Sequence, residues 1–460
     1  MSTPRSFVML AAISIATIQI TASGADAATL SLVGSSTKVC QLIGDTDWAT
    51  GTPGTPTAAK TKSNFGLDGV DLGFPVDSSP GPLYFLFGDA LPPGHPSNSI
   101  LSVPPDDALG STTRTAPPDS TTCLDLQLIT SAPKTFAHPT VHPTIQQGTF
   151  NVPSGGVFLD NTFYAFFWTD HCVFPTALRP EPHTPLRRPP PSATCLETPE
   201  NSSVGRSVLA EATSANPVDF NWTPRDGWLF RNMPSGFVYA SSAMPAPAQQ
   251  SAVPVFGVAR YRASIPYLAM APRATFADPR TWSFFAGRDE GHPIWLTRRQ
   301  WESGHNEAGE WIPPPGAEIY KAEPADERCV GEHSVTWNAP LQVWLLLYTC
   351  LPWTVEARFA PEPWGPWSPP IIMLSAVQDS SLTCTLIQSD TGCPGLRDYW
   401  KLPTGTSWPG TFYAPFVMDR FTQDVTPPGP GQPKRATIYW LVSTWNPYVV
   451  VVMQSTLELQ

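Results

Sequence analysis

Charge, proline-free stretches and long apolar runs are what this sequence has least of. Only 14% of its 460 residues are charged, and acidic residues outnumber basic ones, leaving a formal net charge of -11. So few basic residues give no surface able to displace counterions from a phosphate backbone, which excludes nucleic acid as a partner. With 55 prolines spread along the chain, helices longer than about ten residues are confined to rare windows, which argues against a helical protein. Beyond the N-terminal segment no apolar run approaches the roughly 20 residues a spanning helix needs, so no membrane span is expected. There is also no P-loop, no dinucleotide fingerprint, no H-E-x-x-H pair and no G-x-S-x-G elbow. Those absences remove several common enzyme classes, and no cofactor or metal is called for.

Aromatic residues are abundant, with 17 Trp, and suit many short strands joined by proline-rich loops. The N-terminus carries Arg5, an apolar run from Phe7 to about Ile20 and then Ala25-Asp26-Ala27, the pattern of a signal peptide over residues 1–27. A secreted or periplasmic monomer is expected, its mature part (28–460) forming one domain. Export makes the eight cysteines readable as disulfides. Connectivity cannot be deduced from sequence, but nearness suggests Cys172 with Cys195, Cys329 with Cys350 and Cys384 with Cys393, leaving Cys40 with Cys123. The sequons at Asn201 and Asn221 are read as chance occurrences.

Five runs repeat one pattern, a short turn followed by a dense strand: PLYFLFGDA from Pro82, NTFYAFFWTD from Asn161, PVFGVARYR from Pro254, LQVWLLLYTC from Leu341 and ATIYWLVST from Ala436. Centres about 80 to 95 residues apart leave room for four strands each, the size of one large propeller blade. The spacing predicts an all-β, five-bladed β-propeller, with a two-sheet sandwich plus a second domain as the alternative. Only Ser207 to Ala212 and Thr297 to Glu302 look helical. ATLSLVGSS is expected to pair with the last blade near YVVVVMQS and close the ring, and the proline-rich stretches 102–118, 178–193 and 423–435 are expected to be surface loops.

A propeller gathers its inner strands around one channel, so residues distant in sequence meet at one mouth. The candidates there are Asp71 in GVDLGF, the pair Gly155-Gly156, Arg260 and Arg262 in ARYRAS, Glu332 in GEHSV and Tyr413 in FYAPF. Asp89 in FGDA and Asp170-His171 in WTDHC end second strands. A strand-start glutamate ahead of a buried strand should have its pKa raised by desolvation toward that of a general acid. Two carboxylates without a cofactor are what glycoside hydrolysis needs. Trp168, Trp337 and Trp344 are either stacking platforms for sugar or core, and Arg358 is read as a brace.

DLG with YFLFGDA, VPSGGV, YLAMAP with TWSFFAG, GEHSVTWN with LLLYT, ARFAPEPWGPWSPP, and FYAPF with YWLVSTWNPY together resemble the domain-of-unknown-function family 4185, from about Asp71 to the C-terminus. Part of that family forms glycoside hydrolase family 183, the endo-D-arabinanases. The resemblance implies a five-bladed propeller acting on a furanoside polysaccharide, with Asp71 as base or nucleophile, Glu332 as general acid and Asp89 in support. Asp170, His171, Arg260, Arg262 and Tyr413 would bind substrate. One departure is Ala90, where a threonine or serine is expected. A non-catalytic propeller that binds cell-surface glycan is the alternative, and a channel calcium a third.

Overall fold

The computed structural model describes residues 28–48, 54–94, 108–136, 151–169, 206–212, 230–307, 311–321, 328–350, 354–376, 378–379, 382–389, 391–393, 396–401 and 404–460. After an N-terminal strand β1 (Leu30–Gln41), the chain builds five antiparallel sheets in sequence order. The first holds β2 (Leu72–Asp77), β3 (Leu83–Phe87), β4 (Ala108–Thr112) and β5 (Gln127–Leu128). The second holds β6 (Asn151–Leu159), β7 (Thr162–Thr169), β8 (Arg206–Ala212) and β9 (Phe230–Asn232). The third has five strands, β10 (Tyr239–Ser242), β11 (Ala252–Val258), β12 (Tyr267–Pro272), β13 (Ser283–Asp289) and β14 (His292–Thr297). The fourth comprises β15 (His333–Asn338), β16 (Val343–Cys350), β17 (Thr354–Ala360) and β18 (Ile371–Ser375). The fifth runs from β19 (Phe412–Val417) through β20 (Lys434–Thr444) and β21 (Val449–Leu459) to β1.

The first strand of each sheet packs against the first strands of its two neighbours, so β2, β6, β10, β15 and β19 form a closed ring. This is a five-bladed β-propeller, as the repeat predicts. The five dense runs are the second strand of each blade, and their aromatic and aliphatic residues are buried from both sides. Ring closure also follows the expectation: Leu30 lies opposite Leu459 and Gln41 opposite Val451, so the first strand completes the last blade and covers its outer edge. Local chemistry fixes the hairpins. Asp160 and Asn161 both adopt positive φ, of 48° and 64°, between β6 and β7, the backbone twist that a two-residue hairpin requires.

Four expectations are corrected. Within the expected surface loop 423–435, Gln423–Asp424 pair with β20, which itself begins at Lys434. Ser207 to Ala212 is strand, because pairing along the aromatic face of β7 outweighs the helix preference of Leu, Ala and Glu. Thr297 to Glu302 does bracket a short helix (Arg298–Trp301), capped by Thr297 and Gln300. Within the proline-rich stretch 102–118, residues Ala108–Thr112 are the third strand of the first blade. Arg260 and Arg262 do not lie on an inner strand; they follow β11, because the inner strand of that blade is the short segment Tyr239–Ser242 upstream. The stretch 178–193, residues 1–27 expected as a signal peptide, Cys172, Cys195, Asn201 and Asn221 lie outside the described residues.

Disulfides join Cys40 to Cys123, Cys329 to Cys350 and Cys384 to Cys393, the pairings expected for these six. Arg358 is a brace: buried, it donates to the Tyr348 hydroxyl at 2.8 Å and the Ser368 carbonyl at 2.9 Å, and lies over the Tyr320 ring. The glycine pair serves packing rather than chemistry. A Cβ on Gly155 would meet the backbone of Ser241, and one on Gly156 would meet Val76 and the Tyr164 carbonyl, so β6 can approach its neighbours only without side chains there.

Candidate active site

One end of the channel opens into a cleft of about 360 Å³, to which all five blades contribute. Asp71, Asp89, Arg262, Glu332 and Tyr413 line it together. Asp170 and His171 lie outside the described residues. Arg260 is not part of the wall; its backbone N–H and carbonyl both pair with the Ser264 hydroxyl, making it a turn residue.

Backbone irregularity aims these side chains. Asp71 immediately precedes β2, where Leu72 and Gly73 have φ of 61° and 90° and a bulge breaks the register before Phe74. Tyr413 precedes Ala414, with φ of 55°, and a second bulge follows it in β19. Bulges re-aim side chains at the rims of β structures, and a non-glycine residue at positive φ persists only where its surroundings hold it. Here the hold on Leu72 is a hydrogen bond from its N–H to the Ser443 hydroxyl at 2.8 Å.

The two carboxylates sit in contrasting surroundings. Asp71 is 9% exposed; it accepts from the Tyr413 hydroxyl at 3.1 Å through Oδ2, while Oδ1 has no hydrogen-bond partner. Burial pushes its pKa up to about 7; the hydroxyls of Tyr448 and Tyr413 pull against this and the charge of Glu332 adds to it. Glu332, 2% exposed, has a cation beside it. Arg262 grips it with Nη2 at 2.9 Å from Oε1 and Nε at 3.3 Å from Oε2, and the Tyr261 hydroxyl donates to Oε1. Burial acts against the Arg262 charge, but Glu332 together with Tyr261 and Tyr413 more than offsets it and raises the guanidinium pKa. The expected lone, desolvated glutamate is therefore an ion-paired one, and the desolvated carboxylic acid is Asp71. Arg262, expected as a substrate ligand, is committed to Glu332. His333, next in the chain, donates from Nδ1 to the Gly331 carbonyl at 2.8 Å, and burial lowers its pKa to about 4, so it is neutral at neutral pH.

Aromatic rings form the walls. Trp168 lies 4.6 Å from Tyr261, centroid to centroid, and Trp445 and Trp408 line the cleft from the fifth-blade side. Trp408 is 37% exposed and fixed through Asn446, whose amide donates to its carbonyl at 2.8 Å while accepting from the Tyr399 N–H at 2.8 Å. Of the three tryptophans singled out in the sequence, Trp344 is core, Trp337 packs on it, and only Trp168 reaches the cleft. Tyr239, Tyr261, Trp408 and Trp445 were not among the expected residues. Tyr261 and Trp445 stand inside ARYRAS and STWNPY and could have been found there; Tyr239 and Trp408 carry no sequence signal.

Residues 211–454, a little over half the chain, match the family model described as Domain of unknown function (DUF4185). No curated protein matches the sequence. Among solved structures, a Bacteroides ovatus protein solved as a candidate hydrolase is 11% identical with a TM-score of 0.45, covering 86% of this chain and 87% of that one. A thermostable family-43 glycoside hydrolase is 12% identical, TM-score 0.35, over 83% and 88%. The catalytic domain of Coprinopsis cinerea GH62 alpha-L-arabinofuranosidase is 10% identical, TM-score 0.36, over 93% and 98%. Likenesses this distant carry no argument about chemistry.

Proposed function

From the premise that this chain belongs to the DUF4185 family, we propose that it is an exported glycoside hydrolase that cuts arabinan or another furanoside cell-wall polysaccharide within the chain. The observation that carries the reading is the pairing of a desolvated carboxylic acid, Asp71, with an ion-paired carboxylate, Glu332, in one aromatic-walled cleft. Two titratable groups whose surroundings drive them apart divide into acid and base. Asp71, protonated below about pH 7, gives its proton to the glycosidic oxygen as the C–O bond breaks. Glu332 faces the positive charge that develops at the anomeric carbon, where water adds its hydroxyl and passes its proton to Glu332, so the carboxyl pair ends with the one proton it began with. We assign the roles opposite to those the resemblance implies, because Glu332 is held by Arg262 and Tyr261 and Asp71 is not. Asp89, which lines the same cleft, is the supporting carboxylate. Three disulfides among the described residues suit an oxidising compartment.

The test is incubation of the purified protein with arabinans and arabinogalactan, with Asp71→Asn and Glu332→Gln alongside. Oligosaccharides released by the wild type and by neither variant are the expected result. Binding of these glycans without any release would favour the alternative, a glycan-binding propeller, for which the aromatic walls formed by Trp168, Trp408 and Trp445 are equally suited. Neither binding nor release would overturn both.

A further inference from the structure

Of the four tyrosines around the two carboxylates, Tyr239, Tyr261, Tyr413 and Tyr448, the hydroxyls of Tyr239 and Tyr448 have no hydrogen-bond partner, and of these two only Tyr239 lines the cleft. Tyr413 donates to Asp71 and Tyr261 to Glu332. Tyr239, the first residue of β10, also lines the cleft, yet its hydroxyl has no hydrogen-bond partner and the residue is 0% exposed. Its ring is wedged between Tyr261 at 5.9 Å, Trp168 at 6.2 Å and His333 at 5.9 Å, so it cannot swing away to find one. The nearby acceptors are engaged: Glu332 Oε1 by Tyr261 and Arg262, Oε2 by Arg262, and Asp71 Oδ2 by Tyr413. Asp71 Oδ1, like the Tyr239 hydroxyl, is unpartnered in the same cleft. Buried polar groups are normally satisfied, and exceptions in a cleft call for an occupant that satisfies them.

Resting on the glycosidase reading, we propose that Tyr239 is a substrate-contacting residue whose phenol donates a hydrogen bond to a hydroxyl of the uncharged sugar residue seated between Asp71 and Glu332. A sugar hydroxyl can accept from Tyr239, while the protonated Asp71 Oδ1 is answered by the glycosidic oxygen of the same sugar. An uncharged sugar is favoured because the guanidinium in the wall, Arg262, is committed to Glu332. Tyr239 thereby supplies the contribution of the third blade's inner strand to the cleft, beside Tyr261 and Arg262.

The experiment compares wild type, Tyr239→Phe and Tyr261→Phe in thermal melting, in calorimetric binding of a linear arabinofuranosyl oligosaccharide, and in the pH profile of its cleavage. Removing an unsatisfied buried hydroxyl should leave Tyr239→Phe melting at or above the wild-type temperature, whereas its affinity and kcat/KM fall at least about ten-fold with the pH profile unmoved. Tyr261→Phe, which strips a bond from Glu332, should shift the profile. Wild-type affinity and turnover in Tyr239→Phe would overturn the inference while leaving the glycosidase reading intact. So would a clear drop in its melting temperature, which would mean that the hydroxyl is satisfied inside the fold. A wild type that neither binds nor cleaves the oligosaccharide would sink the glycosidase reading and this inference with it.

Discussion

Asp71 and Glu332 are both buried and differ in their partners, a tyrosine hydroxyl for the first and a guanidinium for the second. Asp71 binds its proton more tightly in the fold than in the unfolded chain, its pKa moving from 3.8 to about 7. The folded protein therefore holds the extra proton between those values, and stability should fall as pH rises through that window and level off above it. Asp71→Asn, which mimics the protonated acid, should flatten this slope and raise stability at pH 8 by at most about 4 kcal/mol while abolishing cleavage; denaturant unfolding at pH 4 and pH 8 measures both ends. Arg262→Met should act in the other direction, leaving Glu332 buried without its cation at a cost of about 3–5 kcal/mol, with Arg262→Lys recovering part of it. Gly88 is a quieter determinant. A Cβ there would run into Asp71 Oδ1 and the Leu72 side chain, so Gly88→Ala should cut activity sharply by displacing the acid. Much of this site is legible in the sequence because carboxylates at strand starts are rare in so uncharged a chain. Which of the two carboxylates is ion-paired is not legible, since Arg262 is 70 positions from Glu332 and reaches it only once the third and fourth blades stand side by side.

Each blade is recognisable by its second strand, which is buried on both faces and so reads as a continuous apolar run. Inner strands are harder to see. Tyr239–Ser242 has only four residues, two of them serines, and next to PVFGVARYR such a segment leaves no mark, which is why the arginines take its place in a sequence reading. Ala108–Thr112 is hidden likewise by the prolines around it. Staples hold the site-bearing elements. Cys329–Cys350 ties the end of β16 to the segment three residues before Glu332 and closes a loop with a separation of 21 residues. Replacing both cysteines by serine should cost about 3 kcal/mol by the chain-entropy relation, read as a lower denaturation midpoint, with a parallel loss of activity as Glu332 loosens.

At the scale of the whole molecule, the ring depends on one strand brought from the far end of the chain. Deleting residues 28–41 would expose the edge of β21, eleven residues long and buried along most of its length. Such an edge pairs with other chains, so the truncated protein should elute as aggregates in size-exclusion chromatography. The same pairing sets a timetable. Leu30–Gln41 leave the ribosome long before Val449–Leu459, so the fifth blade cannot be finished on a nascent chain. The circle can shut only when Val449–Leu459 reaches β1, the strand whose Cys40 is joined to Cys123 beside the first blade.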